Sequence, residues 1–321
     1  MVSRPTFVAE FTTNHMGNLN VLLRMAERAA AAGCDLIKMQ KKDVERFYSR
    51  EKLDSTYESP YGHTYRDYRS LFEFDAEDFR RFDARCRELG VGWFATVQDV
   101  ASLEFMLEFD LPHFKVASTN ARDADFLREV ARQVPRDRGI VISVAGSTLR
   151  EVETAIARFP HHALHVLHCV ARYPCPWEEL RLGNIETLRQ HFADDRIRIG
   201  YSGHEEGVPP SVAAADLGAA MIERHFCLSR HSFVHHIECS LEPEEFARLV
   251  RLVESGGALV PHYDELPDEA FASSFGMSAE EREFLVEQTY GRRHVGERSR
   301  FGHARDGAQR RQALLARSRA A

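Results

Sequence analysis

The sequence predicts a single (β/α)8 barrel with a long loop after its second strand and a short C-terminal extension. Three observations carry this. Eight short β-branched or aromatic runs recur along the 321 residues, and segments with one apolar face at helical spacing separate most of them. Several of the eight runs are almost continuously apolar, as strands covered on both faces must be. Strands alternating with helices point to a closed parallel barrel, with an open doubly wound sheet as the structural rival.

In chain order the strands are expected at Thr6–Phe11, Asp35–Gln40, Gly92–Val97, His113–Ser118, Gly139–Val144, Leu164–Val170, Ile197–Ser202 and Met221–Phe226. Helices are expected at Leu22–Ala32, Ala76–Leu89, Ala101–Phe109, Thr148–Arg158 and Ser211–Leu217. Gly33 and Gly90 stand where a glycine ends a helix in the left-handed conformation. The long loop runs from Lys41 to Ser70 and is rich in Tyr, Ser and charge, the composition of a lid or binding surface. A last amphipathic helix, Pro243–Glu254, carries its proline in the first turn, where a missing N–H costs nothing. The barrel is thus assigned to residues 1–260 and the extension to 261–321. The Arg-rich stretch from Gly291 is expected to be loosely held or engaged with a partner subunit.

Composition supports one large globular domain: 44% hydrophobic and 28% charged residues. A net charge of -7 argues against a nucleic-acid surface, which needs a clustered basic face. No apolar run approaches the roughly eighteen residues of a membrane span, and the first residues lack the regions of a signal peptide. A cytoplasmic enzyme is the resulting expectation. The six cysteines form no CxxC pair and several sit in apolar runs, so buried reduced thiols are expected. Cys169 and Cys239 fall near the site described next, with nothing to mark either as a nucleophile.

The polar residues gather at strand ends. Glu10 ends the first strand, with Asn14 and His15 beyond it; Lys38 and Gln40 end the second, and Thr96 the third. Lys115 and Ser118 end the fourth, Ser143 the fifth, and Tyr173 follows the sixth. Ser202 and His204 close the seventh, Glu223 and His225 the eighth. In a barrel these points converge on the C-terminal rim, where barrel enzymes keep their active sites. Taken singly, a serine or threonine there is most often a helix N-cap. A lysine inside an apolar strand is harder to dismiss, because an unpaired buried ammonium is costly. Lys38 and Lys115 each need an anionic partner, a phosphate or a carboxylate. His204 and His225 sit at consecutive strand ends, where two imidazoles can share one metal or simply hydrogen-bond on the rim. Among the 16 histidines, His161, His162, His165 and His168 read as helix-end or core residues.

These segments resemble the sialic acid synthase family. Phe7-Val-Ala-Glu-Phe-Thr-Thr-Asn-His-Met-Gly17 is similar to its opening signature, and Ile37-Lys-Met-Gln40 to its Val-Lys-Phe-Gln. Pro60–Tyr65 with Leu71–Phe74, Phe114-Lys-Val-Ala-Ser118, Leu167–Pro176, Ile199–His204 and Ile222–His225 continue the match in order, from about Val8 to Pro243. The resemblance implies condensation of phosphoenolpyruvate with an N-acylated amino sugar in its aldehyde form, assisted by a divalent metal, manganese or magnesium. By that resemblance Lys38, Lys115, Ser118, Ser143 and Ser202 hold the phosphoenolpyruvate anions, and His204 and His225 the metal. Gln40, Thr96 and Tyr173 line the meeting point of the substrates. Glu10 and Glu223 serve positioning or proton transfer, with Lys115 and Tyr173 beside them as catalytic candidates and Asn14 as a substrate contact.

Three departures stand out. Ser143-Val-Ala-Gly-Ser147 replaces the family's Ser-Thr-Gly-Met, and His236 occupies the position of an aspartate that faces the sugar. An imidazole in place of an acceptor-only carboxylate implies a changed acceptor. The C-terminal antifreeze-like domain found in many members is not recognisable; Arg292, Arg293 and Arg298 are candidates for an analogous role, and a homodimer is expected. Two rival functions stay open: another metal-dependent barrel aldolase or 3-deoxy-ulosonate phosphate synthase, or a non-catalytic sugar-phosphate-binding barrel. A phosphorylated acceptor would need a second basic cluster, which the strand ends do not supply.

Overall fold

A computed structural model describes residues 4–255, 263–287 and 307–318. Eight parallel strands form the barrel: β1 Thr6–Glu10, β2 Leu36–Lys41, β3 Gly92–Val97, β4 His113–Val116, β5 Gly139–Ser143, β6 Leu164–His168, β7 Ile197–Gly203 and β8 Met221–His225. Each pairs with the next in sequence, and β8 closes on β1 with Thr6 opposite Met221 and Glu10 opposite His225. The closed barrel excludes the doubly wound sheet. Strand boundaries match the sequence expectation to within one or two residues.

Alternation along each strand divides the side chains between two environments. Outward residues such as Phe7, Ile37, Trp93 and Ile140 pack beneath the helices in one large core. Inward residues fill the barrel in layers. An apolar layer of Val8, Phe94, Val141, Leu167 and Met221, with Leu36 against it, plugs the middle. Gly200 is required in that layer: a Cβ there would stand 2.5 Å from Leu167 Cδ2. Two residues further along the same strands, and so on the same face, come Glu10, Lys38, Thr96, Ser143 and Glu223. A polar layer therefore sits directly on an apolar one.

The helices follow the predicted order, and their caps settle the role of the strand-end hydroxyls. Asp75, Asp99, Asp123 and Thr148 cap the helices after β2, β3, β4 and β5, each accepting from a backbone N–H in the first turn. Capping is thus done further along each loop, and Thr96, Ser118, Ser143 and Ser202 are not consumed by it.

The stretch after β2 is a folded unit rather than an open loop. Two short helices (Val44–Phe47 and Arg50–Leu53), an antiparallel hairpin (Thr56–Ser59 with Gly62–Thr64) and a helix at Tyr65–Ser70 wall one side of the barrel mouth. Of the Arg-rich stretch from Gly291, expected to be loosely held or engaged with a partner subunit, the described part is a helix docked on its own chain. Residues 276–285 meet the loops after β5 and β6, where the Gly276 N–H donates to the Ser147 carbonyl at 3.0 Å and Glu281 accepts from the Ala171 N–H at 3.2 Å. The helix Gly307–Ser318 packs beside Asp268–Phe271, with Arg310 to Glu186 at 3.2 Å, Arg311 to Asp268 at 2.9 Å, and Leu314 buried. Arg292, Arg293 and Arg298 lie outside the described residues. All six cysteines are free and buried, as expected. Among the described residues no helix is long and apolar enough to cross a membrane.

Candidate active site

The barrel mouth opens into a cavity of about 480 Å³, within the size range of small-molecule sites. Its floor is the polar layer. Lys38 Nζ lies 2.8 Å from Glu10 Oε2 and 3.3 Å from Glu223 Oε1, and donates to Thr96 Oγ1 at 2.9 Å. Lys115 Nζ meets Glu223 Oε1 at 2.5 Å. Gln40 Nε2 and the Thr12 N–H donate to Glu10 Oε1 at 2.7 and 3.1 Å, and Ser202 Oγ donates to Glu223 Oε1 at 3.0 Å. The anions that the two buried lysines demanded are thus carboxylates of the chain itself, supplied by β1 and β8.

The two carboxylates are not equivalent. Burial, helped by the negative charge of Glu223, raises Glu10 above the usual carboxylate range despite Lys38. Burial acts on Glu223 too, but Lys115 and Lys38 together outweigh it and hold it down. Paired carboxyls pushed apart in this way divide the labour: one carries a proton readily and the other stays an anion. Lys38, between both carboxylates, is raised despite burial, whereas Lys115 is lowered by burial and only partly compensated.

Ser143 Oγ is buried in the cavity wall without a hydrogen-bond partner, an orphan donor facing the space a ligand would take. Ser118 Oγ accepts from the Ala145 N–H at 3.0 Å, which ties β4 to the altered loop after β5. That loop has an apolar task. Gly146, at φ +66°, has Met277 Cγ and Leu285 Cδ1 each 2.7 Å from where a Cβ would stand. The replacement of Thr-Gly-Met by Val-Ala-Gly makes a seat for the chain's own C-terminal stretch, whose Phe284 and Leu285 line the cavity. Arg181 anchors that stretch through Glu281 at 2.6 Å.

On the side of β6 to β8 stand the aromatic residues. Tyr173 lies between His204, ring centroids 4.1 Å apart, and His236, 4.2 Å apart, with Phe284 at 4.9 Å. His236 adopts the left-handed conformation at φ 62° and lines the cavity. The Nδ1–H of His204 donates to the Val170 carbonyl at 2.7 Å, leaving Nε2 for a ligand. Cys239 Sγ lies 3.7 Å from His225 Nδ1, and the two imidazoles are 5.5 Å apart, centroid to centroid. Burial pushes His204 down to about 3 and His225 well below its usual value, so both are neutral, the form that binds metal. Two neutral imidazoles lining one cavity fit a divalent ion. Among the described residues no group of three or more His, Cys, Asp or Glu side chains is placed to hold one, so the remaining ligands would be substrate and water.

Three signature residues lie behind the cavity rather than on it. Asn14 Nδ2 donates to the Phe226 carbonyl at 2.8 Å and to Ser240 Oγ at 3.0 Å, pinning the exit of β8, and Asn14 does not line the cavity. His15 accepts from the Gly17 N–H at 3.1 Å and packs on Phe74. Gly17, at φ +64°, lies against the Leu71 carbonyl, which would be 2.2 Å from a Cβ. The opposite wall comes from the stretch after β2, expected as a lid or binding surface, and is made by residues the sequence did not single out: Lys42, Lys52 and Arg69, with Tyr48, Tyr57 and Tyr65. It also missed Arg224 and Glu205, an ion pair at 2.8 Å fully buried outside the barrel. The only signal for Arg224 was a charge out of phase with the inward residues Glu223 and His225.

A family model described as the NeuB family matches residues 25–259. The N-acetylneuraminate-9-phosphate synthase of Drosophila melanogaster is 33% identical over 259 residues, 79% of this chain and 68% of that protein. The human protein of the same name is 34% identical over 256 residues, 78% of this chain and 69% of its own length. The crystal structure of the sialic acid synthetase of Leptospira borgpetersenii in complex with citrate matches with a TM-score of 0.69 at 27% identity, covering 91% of this chain and 94% of that one.

Proposed function

Because the chain belongs to the NeuB family of sialic acid synthases, we propose that it condenses phosphoenolpyruvate with an aldose of the N-acylmannosamine type. The products are a 3-deoxy-2-ulosonic acid and inorganic phosphate. One observation carries this reading: two buried lysines, an orphan serine hydroxyl and two neutral histidines face a single cavity.

In this reading Lys38 and Lys115 exchange part of their contact with Glu10 and Glu223 for the phosphate and carboxylate of phosphoenolpyruvate, and Ser143, Ser118 and Ser202 add hydroxyl donors. The C3 carbon of the enol attacks the aldehyde carbon, forming the new C–C bond. Water adds to C2, and phosphate leaves with cleavage of its C–O bond. Glu10, whose pKa is raised, accepts the proton of that water, the former aldehyde oxygen takes up one proton in return to become the new hydroxyl, and Glu223 stays an anion and holds Lys115 in place. A manganese or magnesium ion held by His204 and His225 would polarise the aldehyde oxygen. Tyr173 and His236 bound the acceptor's side, with Gln40 and Thr96 fixing Glu10 and Lys38 from behind. A cytoplasmic location and a homodimer belong to the same proposal, and light scattering on the purified protein tests the dimer.

The test is phosphate release from phosphoenolpyruvate with manganese, across N-acetylmannosamine, mannose and diacetamido-hexoses, on the native protein and on Lys115→Ala and His204→Ala. Aldose-dependent release that both substitutions abolish is expected. Release that proceeds equally without any aldose, or survives both substitutions, refutes the reading.

A further inference from the structure

Cys239 stands behind the ring of His225, outside the cavity that His225 lines. Local structure puts it there. The chain beyond β8 returns to the strand it left: the Leu241 N–H donates to the His225 carbonyl at 2.8 Å, and the Cys227 N–H to the Leu241 carbonyl at 3.1 Å. In a 3₁₀ turn, groups three residues apart lie in line. The turn Ile237–Cys239, opened by His236, thus carries the Cys239 side chain back over the His236 carbonyl. Arg224, paired with Glu205, donates from Nη2 to the Cys239 carbonyl at 3.4 Å and holds the turn from outside the barrel. Cys239 is 1% exposed, so its sulfur finds its partners within the chain.

Two groups lie within reach of Cys239 Sγ: the His236 carbonyl oxygen at 3.1 Å and His225 Nδ1 at 3.7 Å. A thiol has one proton to donate and weakly accepting lone pairs on its sulfur. A carbonyl oxygen only accepts, so the proton goes to His236, and the sulfur presents its lone pairs to His225. Nδ1 of that ring is then the donor. A neutral imidazole carries one N–H, which leaves Nε2 with a bare lone pair. His204 reaches the same state by another route, its Nδ1–H donating to the Val170 carbonyl. The two rings present the same nitrogen as acceptor, one ordered by a carbonyl and the other by a thiol.

We infer that Cys239 is a positioning residue that fixes His225 as its Nδ1–H tautomer and so keeps Nε2 bare for the divalent ion of the proposed synthase reaction. The inference rests on that reading for its metal and on the hydrogen bonds alone for its tautomer. Without an acceptor behind it, a buried Nδ1–H has nothing to donate to. The form with its proton on Nε2, which cannot ligate through that nitrogen, then gains. The same thiol ties the ring to the backbone of His236, so the metal-side ligand and the residue on the acceptor's side are held through one sulfur.

Two measurements test this, and neither needs turnover. The first is the long-range proton–nitrogen NMR spectrum of metal-free protein with isotope-labelled histidine, the His225 signals being those missing from His225→Gln. The native protein and Cys239→Ser are expected to carry the His225 proton on Nδ1, and Cys239→Ala to shift towards the Nε2–H form. A native ring protonated on Nε2 overturns the inference. The second is manganese affinity, read from the electron paramagnetic resonance signal of the free ion with no substrate present. Cys239→Ala is expected to bind manganese about 10- to 100-fold more weakly, the usual cost of removing the partner of a metal-bound histidine. Cys239→Ser, whose hydroxyl also donates once and accepts, recovers most of that affinity. Unchanged affinity in Cys239→Ala, or an equal loss in Cys239→Ala and Cys239→Ser, overturns the positioning role, since packing alone then accounts for the residue. If the native protein binds no manganese while His225 carries its proton on Nδ1, the metal reading falls and the tautomer assignment stands.

Discussion

Substituting Glu10 by glutamine tests whether the floor of the cavity is a charge cluster waiting to be reorganised by an anion. At 2.8 Å and an effective dielectric of about 20, the Glu10–Lys38 attraction is about 6 kcal/mol before desolvation is counted. Removing one partner of a buried pair costs about 3–5 kcal/mol in practice. Lys38 keeps Glu223 at 3.3 Å and Thr96 Oγ1 at 2.9 Å, which places the loss near the lower end, about 3 kcal/mol. The freed lysine then favours an incoming anion. If phosphoenolpyruvate binds the variant tenfold more tightly, a concentration 100 times the native Kd adds about 2.7 kcal/mol to the native protein and about 4.1 to the variant. Urea unfolding with and without phosphoenolpyruvate reads both quantities. The stability gap is expected to narrow by about 1.4 kcal/mol when the ligand is present. A gap of the same size in both conditions would refute the idea that Lys38 turns from Glu10 to the ligand. No gap in the absence of ligand would refute the pair's contribution.

Further outcomes follow from the same geometry. Glu205→Gln leaves Arg224 fully buried without its counter-ion, and the urea midpoint should fall by the equivalent of about 3–5 kcal/mol. Gly146→Ala meets both a positive φ and two side chains at 2.7 Å; a loss of about 1–3 kcal/mol is expected, with faster proteolysis near Met277. His168, buried with Nε2 donating to the Leu180 carbonyl at 2.8 Å, is held by burial down to about 4. A histidine lowered in the folded state stabilises above its unfolded pKa, so stability should fall from about pH 6.5 towards 4, and His168→Gln should flatten that slope in acid-unfolding curves. Chelation should abolish phosphate release by the native protein and manganese restore it, while His204→Ala should stay inactive at the manganese concentration that restores the native protein.

The barrel was legible because strands buried on both faces announce themselves, and the residues of the floor because a lysine in an apolar strand has few innocent explanations. Lys38, Lys115, Glu10 and Glu223 were all visible. Their mutual pairing was not: Glu10 meets Lys38, and Glu223 meets Lys115, only through a register that links residues far apart in sequence. The capping expectation for the serines gave way to Asp99, Asp123 and Thr148, which stand further along the loops and start the helices there. The stretch after β2 was legible as a lid or binding surface but not as a folded unit, because its elements are only three to six residues long, too short for periodicity to show. Nothing therefore singled out Arg69 or Lys42 within it. The loop after β5 looked damaged in sequence; in space its small residues are the complement of Met277 and Leu285.

That last fit has a consequence for the order in which the protein is made. During synthesis β8 emerges with His225, and from then on the barrel has every strand it needs to close. The stretch that seats on Gly146 and brings Phe284 against Tyr173 has not yet been translated. A ribosome-bound or prematurely ended chain would thus have every barrel strand but an unfinished wall beside Tyr173, and the site matures only when the late residues dock. Reporter fusions or truncations placed just beyond the last barrel helix would sample that immature state rather than the enzyme.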